Sequence, residues 1–73
     1  MNACIVLKVI PTKAASILGA VRKMIGVRKA YFTYGRFDMA IFAEVDDYKK
    51  LRELTTLINS LEGIRSSETL PEA

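Results

Sequence analysis

The chain has 73 residues, a formal net charge of +3, one cysteine and no histidine. A core this small is marginal by itself, and neither an intrachain disulfide nor a histidine-based metal site is available, so a partner chain remains as the stabilising element. Its charges are scattered and no apolar run reaches about 18 residues, which argues against a nucleic-acid surface, a signal peptide and a membrane helix. We therefore expect a single domain, residues 1–73, that works in the cytoplasm as part of a homo-oligomer.

The first half of the chain predicts a strand, a helix and a second strand. β-Branched residues predict the first strand over residues 3–10, which Pro11 ends. Thr12 is the predicted N-cap of the helix, and Gly26 is predicted to end it. The apolar residues of this helix fall on one face: Ala14, Ile17, Leu18, Val21, Met24 and Ile25. Alternating aromatic residues predict the second strand over residues 27–34.

The middle of the chain predicts a β-hairpin followed by a second helix. Gly35 and Arg36 form the predicted turn, and residues 37–45 form the third strand. Asp46 and Asp47 then supply an N-cap and favourable charge at the start of the second helix. The apolar stripe of this helix comprises Tyr48, Leu51, Leu54, Ile58 and Leu61.

The two halves of the chain repeat one pattern. Gly63 is predicted to end the second helix as Gly26 ends the first, and residues 64–70 form the last strand. Residues 24–28 and 61–65 each combine a helix end, a glycine and a strand start. Two such βαβ halves with right-handed crossovers interlock as a four-stranded antiparallel sheet with both helices on one face. This predicts an α+β ferredoxin-like βαββαβ two-layer sandwich.

Both faces of the two expected central strands are apolar. In the first strand, Ala3, Ile5, Leu7 and Val9 oppose Cys4, Val6 and Ile10. In the third strand, Met39, Ile41 and Ala43 oppose Ala40 and Phe42. Lys8 alone interrupts the pattern. Because two helices can cover only one face, we expect the open face of the sheet to pack against a second copy in a two-fold dimer.

Residues that could carry catalysis are scarce. Histidine, the commonest general base, is missing, and Cys4 lies in an apolar strand without an obvious activating neighbour. The four glycines stand too far apart to form a phosphate-binding loop. The element order is shared with RNA-binding modules, but the first strand has no aromatic residue on which a base could stack. We expect no enzymatic activity, no cofactor, no metal and no direct contact with nucleic acid.

One polar constellation lies at the predicted hairpin tip, from Tyr34 to Asp38. Gly35 permits the positive φ of the turn, and backbone N–H groups beside it can form an anion-binding nest. Asp38 follows within reach to accept a hydrogen bond from an amine. An α-amino acid carries these two charges a few ångströms apart. The alternative interpretation is that Gly35 merely turns the chain and Asp38 bonds to the local backbone.

The whole chain resembles the effector-binding (RAM) domain of the Lrp/AsnC (feast/famine) transcription regulators, in a stand-alone form. The segments that carry the resemblance are Gly26-Val27, Gly35-Arg36-Phe37-Asp38, Gly63-Ile64 and Ser67-Glu68-Thr69. They occur in order and at matching spacing within one βαββαβ chain. Nothing in the chain resembles a helix-turn-helix, so binding to an operator is not expected.

The resemblance implies dimers that assemble further into rings, with a small-molecule site for amino acids or related metabolites between dimers. The implied ligand-binding residues are Tyr34, Gly35, Arg36, Phe37, Asp38, Ser67 and Thr69. Tyr34 stands where a smaller residue is common in the family. We therefore expect a homo-oligomeric, amino-acid-responsive module that modulates transcription or metabolism through assembly, alone or together with a full-length relative.

Three other functions compete with this expectation. A purely structural assembly module would have the same fold with an empty pocket. An ACT-like regulatory subunit of a metabolic enzyme shares the element order, but it usually has a ligand-binding glycine just after the first strand, where this chain has Pro11 and Thr12. A small dimeric enzyme would need a cluster of polar residues facing a pocket.

Overall fold

The computed structural model describes residues 1–71, and residues 72 and 73 of the predicted domain lie outside the described part. The elements are β1 (Asn2–Val9), a 3-10 turn (Pro11–Lys13), α1 (Ala14–Arg22), β2 (Val27–Phe32), β3 (Met39–Glu44), α2 (Tyr48–Asn59) and β4 (Ile64–Pro71). The strands form one sheet in the order β2-β3-β1-β4, and every neighbouring pair is antiparallel. The predicted ferredoxin-like βαββαβ fold is therefore confirmed.

The first helix differs from its prediction at both ends. Thr12 does not cap it; Thr12 lies inside the 3-10 turn, and no side chain caps either this turn or α1. The predicted end at Gly26 is also wrong, because α1 ends at Arg22. Ile25, predicted on the apolar stripe, is 97% exposed, since helical periodicity no longer orients a residue beyond the last helical turn. Met24 still packs against the core.

The second helix begins as predicted. Asp47 is the N-cap, and its Oδ1 accepts a hydrogen bond from the Lys50 backbone N–H at 2.9 Å. Of the predicted stripe, Leu51, Leu54 and Ile58 are buried and Leu61 is half-buried against the core, whereas Tyr48 is exposed in the first turn. The helix is therefore held by its middle turns rather than by its start.

The hydrophobic core lies between the helices and one face of the sheet. The strand residues in it are Ala3, Ile5, Leu7 and Val9 of β1, Ala30 of β2, and Met39, Ile41 and Ala43 of β3. The helices contribute Ile17, Leu18, Val21, Leu51, Leu54 and Ile58. The alternation predicted for the two central strands is thus confirmed on the covered face.

The opposite face, called the open face below, carries the alternate residues of the same strands. Across β1 and β3 these are Cys4, Val6, Ala40 and Phe42, with Tyr31 of β2 and Leu70 of β4 beside them. Within residues 1–71, the helix residues of the hydrophobic core cluster with the strand residues of the other face. Tyr31, Phe42 and Leu70 remain substantially exposed, so the chain presents an apolar sheet surface.

The predicted repeat of the two halves is visible at two glycines. Gly26 (φ 98°) and Gly63 (φ 101°) precede β2 and β4 in the left-handed region that favours glycine. The Gly26 carbonyl accepts from the Glu44 N–H, and the Gly63 carbonyl accepts from the Ile10 N–H, each at 2.8 Å. Each glycine therefore joins the start of an outer strand to the end of a central strand.

Candidate functional site

A shallow depression with a volume of about 410 Å³ lies among the C-terminal end of β1, the start of β3 and the start of β4. Its lining residues are Lys8, Val9, Pro11, Asp38, Arg65 and Ser66. Among the residues predicted to bind a ligand, only Asp38 contributes to this lining. The depression is called the β1-end site below.

Asp38 is fixed in this position by the backbone of β1. Its Oδ2 accepts a hydrogen bond from the Val9 N–H at 2.9 Å, and its own N–H donates to the Leu7 carbonyl at 2.8 Å. The backbone pairing of β1 with β3 ends at Leu7 and Met39. The Asp38 carboxylate therefore provides the acceptor for the Val9 N–H just beyond that last pair. An ionised carboxylate offers about four lone-pair sites, so Asp38 keeps acceptor capacity for a ligand.

The hairpin tip before Asp38 is held by hydrogen bonds at its base. The Thr33 N–H donates to the Asp38 carbonyl at 3.0 Å, and the Thr33 hydroxyl donates to the Phe37 carbonyl at 2.9 Å. Gly35 has φ 101°, which confirms the predicted glycine turn. Tyr34 is fully exposed, and Arg36 is exposed as well.

The remaining predicted residues lie elsewhere within the single chain. Ser67 pairs with Leu7 and Thr69 pairs with Ile5, so both hydroxyl side chains share the helix-covered face of the sheet. The β1-end site instead includes Ser66, which pairs with Lys8 on the open face. The assignment of Tyr34 to Phe37, Ser67 and Thr69 to ligand binding stays a prediction.

Lys8 and Arg65 are the two charged residues of the site that the sequence analysis did not assign to binding. Lys8 was visible as the one charged residue that interrupts an apolar strand. Arg65 had no comparable signal, because its position depends on an irregularity between strands. The register shifts from the pair Lys8 with Ser66 to the pair Val9 with Ile64, which leaves Arg65 without a partner on β1.

The β1-end site combines two cations with one carboxylate. No ion pair within residues 1–71 involves Lys8, Arg65 or Asp38. Ammonium and guanidinium groups bind carboxylates, and a carboxylate binds an ammonium, so this set of groups can bind a zwitterion. Within residues 1–71 no cluster of histidine, cysteine, aspartate or glutamate is arranged to hold a metal ion.

A larger concavity, of about 600 Å³, lies on the open face. Its lining includes Cys4, Tyr31, Phe42 and Leu70, and the rings of Tyr31 and Phe42 have their centroids 5.9 Å apart. Burial raises the pKa of the Cys4 thiol, so the sulfur is a weak nucleophile in this position. The surface suits contact with another apolar surface rather than reaction chemistry.

No helix within residues 1–71 has the length and apolar character needed to cross a membrane. Comparison with curated proteins gives no match. A solved structure from Thermus thermophilus superimposes with a TM-score of 0.92 at 24% identity, covering 99% of this chain and 94% of that one. A hypothetical protein from Pyrococcus horikoshii gives 0.86 at 26% identity, covering 94% and 84% of the two chains.

The structure of AsnC from E. coli is also similar, with a TM-score of 0.85 and 24% identity. The match covers 94% of this chain and 48% of AsnC, so the present chain spans about half of that protein. The sequence profile described as the Lrp/AsnC ligand binding domain matches residues 2–71. The predicted family resemblance is therefore confirmed, and the chain belongs to the Lrp/AsnC ligand binding domain family of effector-binding regulatory modules.

Proposed function

We propose that this protein is a homo-oligomeric, non-enzymatic module that binds a free α-amino acid or a related metabolite at the β1-end site. The observation that carries the proposal is Asp38, whose carboxylate is fixed by the Val9 amide in the depression that Lys8 and Arg65 also line. Asp38 would accept from the ligand ammonium, and a cation would bind the ligand carboxylate. The family membership supports a ligand-binding role, and the site supplies the charges that an amino acid requires.

The site is shallow in a single chain, which favours completion by a neighbouring copy. Tyr34 and Arg36 project at the exposed hairpin tip beside the site, where a second dimer could contact them. We therefore expect the ligand to lie between dimers of a ring. If the ligand binds one arrangement of the subunits more tightly than another, its binding favours that arrangement. Allosteric control requires such a difference in affinity.

The dimer itself is proposed to form through the open face. Its apolar residues would then be removed from water, which stabilises an otherwise marginal small core. A standard interface buries about 800 Å² per partner. The unpaired thiol of Cys4 is consistent with a reducing compartment such as the cytoplasm. The domain would influence transcription or metabolism through assembly, alone or with a full-length relative.

Isothermal titration calorimetry with the common amino acids, together with sedimentation velocity, tests this function. We expect at least one amino acid to bind and to shift the sedimentation coefficient of the oligomer. Asp38→Ala should weaken that binding about tenfold or more, because it removes the acceptor for the ligand ammonium. Asp46→Ala is the matched control, since Asp46 is an exposed aspartate outside the β1-end site.

An oligomer that binds no amino acid would contradict the proposal and support a structural assembly module. Binding that survives Asp38→Ala unchanged would place the ligand elsewhere. Asp38 also bonds to β1, so the thermal unfolding of each variant must be measured first. Asp38→Asn separates the two roles, because the amide oxygen can still accept from Val9 while the negative charge is lost.

A further inference from the structure

The β1-end site carries more positive than negative charge. Two cationic side chains and one carboxylate line it, whereas an amino acid with a neutral side chain brings one carboxylate and one ammonium. We propose that the ligand is a dicarboxylic α-amino acid of the aspartate and glutamate class, and that Lys8 and Arg65 determine this specificity. The inference rests on the proposed function and adds the chemical class of the ligand.

Arg65 reaches the site because β4 is irregular at this point. Ile64 pairs with Val9 and Ser66 pairs with Lys8, so one residue of β4 is inserted between consecutive residues of β1. An inserted residue of this kind leaves the regular alternation of faces and redirects its side chain. Arg65 thus lines the depression together with Ser66, although neighbours in a regular strand point to opposite faces.

Lys8 approaches from the other strand. It pairs with Ser66, and its side chain is exposed at the end of β1. Strand β1 is otherwise apolar from Ala3 to Val9, so a lysine here is not needed for packing. The ion pairs among residues 1–71 join Lys13 to Glu62, Arg28 to Glu44 and Lys50 to Glu53, and neither Lys8 nor Arg65 takes part in them.

The three charged groups match three charged groups on the proposed ligand. Asp38 accepts from the ammonium with the capacity left after its bond to Val9. Arg65 offers a planar fork of N–H donors that suits one carboxylate, and Lys8 offers a compact charge for the other. Two cations and one carboxylate give the site a net charge of +1. This charge is complementary to the net charge of −1 on the proposed ligand.

The test compares each acid with its uncharged amide. Isothermal titration calorimetry measures the dissociation constants of L-glutamate, L-glutamine, L-aspartate and L-asparagine with the intact oligomer near neutral pH. Each acid and its amide are nearly isosteric, so the ratio of their two dissociation constants measures the contribution of the second carboxylate. The variants Arg65→Gln and Lys8→Gln remove one cation each, and the controls Lys23→Gln and Arg52→Gln remove exposed cations outside the site.

We expect an acid to bind about tenfold or more tightly than its amide, as a charge-assisted hydrogen bond predicts. Loss of the cation that binds the side-chain carboxylate, by Arg65→Gln or Lys8→Gln, should reduce that ratio towards one with little change in the affinity for the amide. Loss of the other cation, which binds the α-carboxylate, should weaken the binding of acid and amide alike. The control variants should keep the ratio. Because all four substituted side chains are exposed, the thermal unfolding midpoint should stay the same, which separates lost recognition from lost folding.

Equal or tighter binding of the amide would overturn the dicarboxylate inference while leaving an amino-acid sensor in place. A preference for the acid that neither Arg65→Gln nor Lys8→Gln changes would overturn the assignment of these residues. If no amino acid of either class binds, the proposed function itself fails, and this inference fails with it.

Discussion

The aromatic rings of Tyr31 and Phe42 lie on the open face with their centroids 5.9 Å apart and their planes inclined by 30°. Tyr31 belongs to the edge strand β2, and Phe42 belongs to the central strand β3. The two residues are 43% and 39% exposed, respectively. An aromatic pair that remains this exposed on an uncovered sheet is the type of feature that anchors protein interfaces.

Phe42→Asp should therefore weaken the proposed dimer. Burial of an unpaired carboxylate in an apolar interface is unfavourable, and the loss of an anchoring aromatic residue costs about 2 kcal/mol or more, or at least about thirtyfold in the dissociation constant. Sedimentation velocity over a range of protein concentrations measures the change. Phe32→Asp is the matched control, because Phe32 is also exposed but pairs with Met39 on the helix-covered side. A Phe42→Asp protein that stays dimeric at every concentration would refute the open-face interface.

Gly63→Ala should destabilise the fold more than alanine at other glycines. A Cβ atom there would lie 2.6 Å from the Lys13 Cβ, and the residue has φ 101°. We expect a loss of about 2–4 kcal/mol in the free energy of unfolding, from backbone strain and steric overlap together. Urea denaturation followed by circular dichroism measures it.

Two further glycines provide the controls for Gly63→Ala. Gly35 has the same φ but no atom within 4 Å of an added Cβ, so Gly35→Ala should cost about 1–2 kcal/mol from strain alone. Gly19 lies within α1 with open space around it, so Gly19→Ala should stabilise by about 0.5–1 kcal/mol. A different order of the three free energies would show that the contact with Lys13 is not the cause.

Cys4 should react slowly with iodoacetamide. Burial raises the pKa of its thiol, so less thiolate is present near pH 8 than in the unfolded chain. Because the pKa is higher in the folded state, the thiol stabilises the fold below the unfolded pKa, and this contribution is lost as the pH rises through the folded pKa. Mass spectrometry should show slower alkylation of the folded protein than of the urea-unfolded chain.

The Phe42→Asp variant adds a second comparison for Cys4. If the open face is the dimer interface, separation of the subunits should speed alkylation, because Cys4 and Phe42 are paired on that face. Equal rates in the folded and unfolded wild-type chain would contradict the effect of burial. Cys4→Ala should also make stability fall less steeply at alkaline pH.

The element order could be predicted because the hydrophobic periodicity agreed along most of the chain with the glycine and proline residues that separate the elements. The alternation of apolar residues in β1 and β3 indicated which of their side chains face the core. In α2, the spacing of three to four residues between Leu51, Leu54 and Ile58 indicated the same. The end of α1 was misplaced because Met24 and Ile25 continue the apolar spacing after the helical hydrogen bonds stop. A local pattern cannot show whether a residue past the last turn finds a surface to pack against.

The sequence by itself determined the fold, the apolar character of both sheet faces, the glycine turns and the importance of Asp38 as a candidate. Local conformational preferences and hydrophobic alternation suffice for these features. Only the tertiary structure decided that Asp38 bonds to Val9, and that Lys8 and Arg65 share its depression. These residues meet because strands distant in sequence pair in one register with one irregularity, and strand register is set by long-range packing that no single segment encodes.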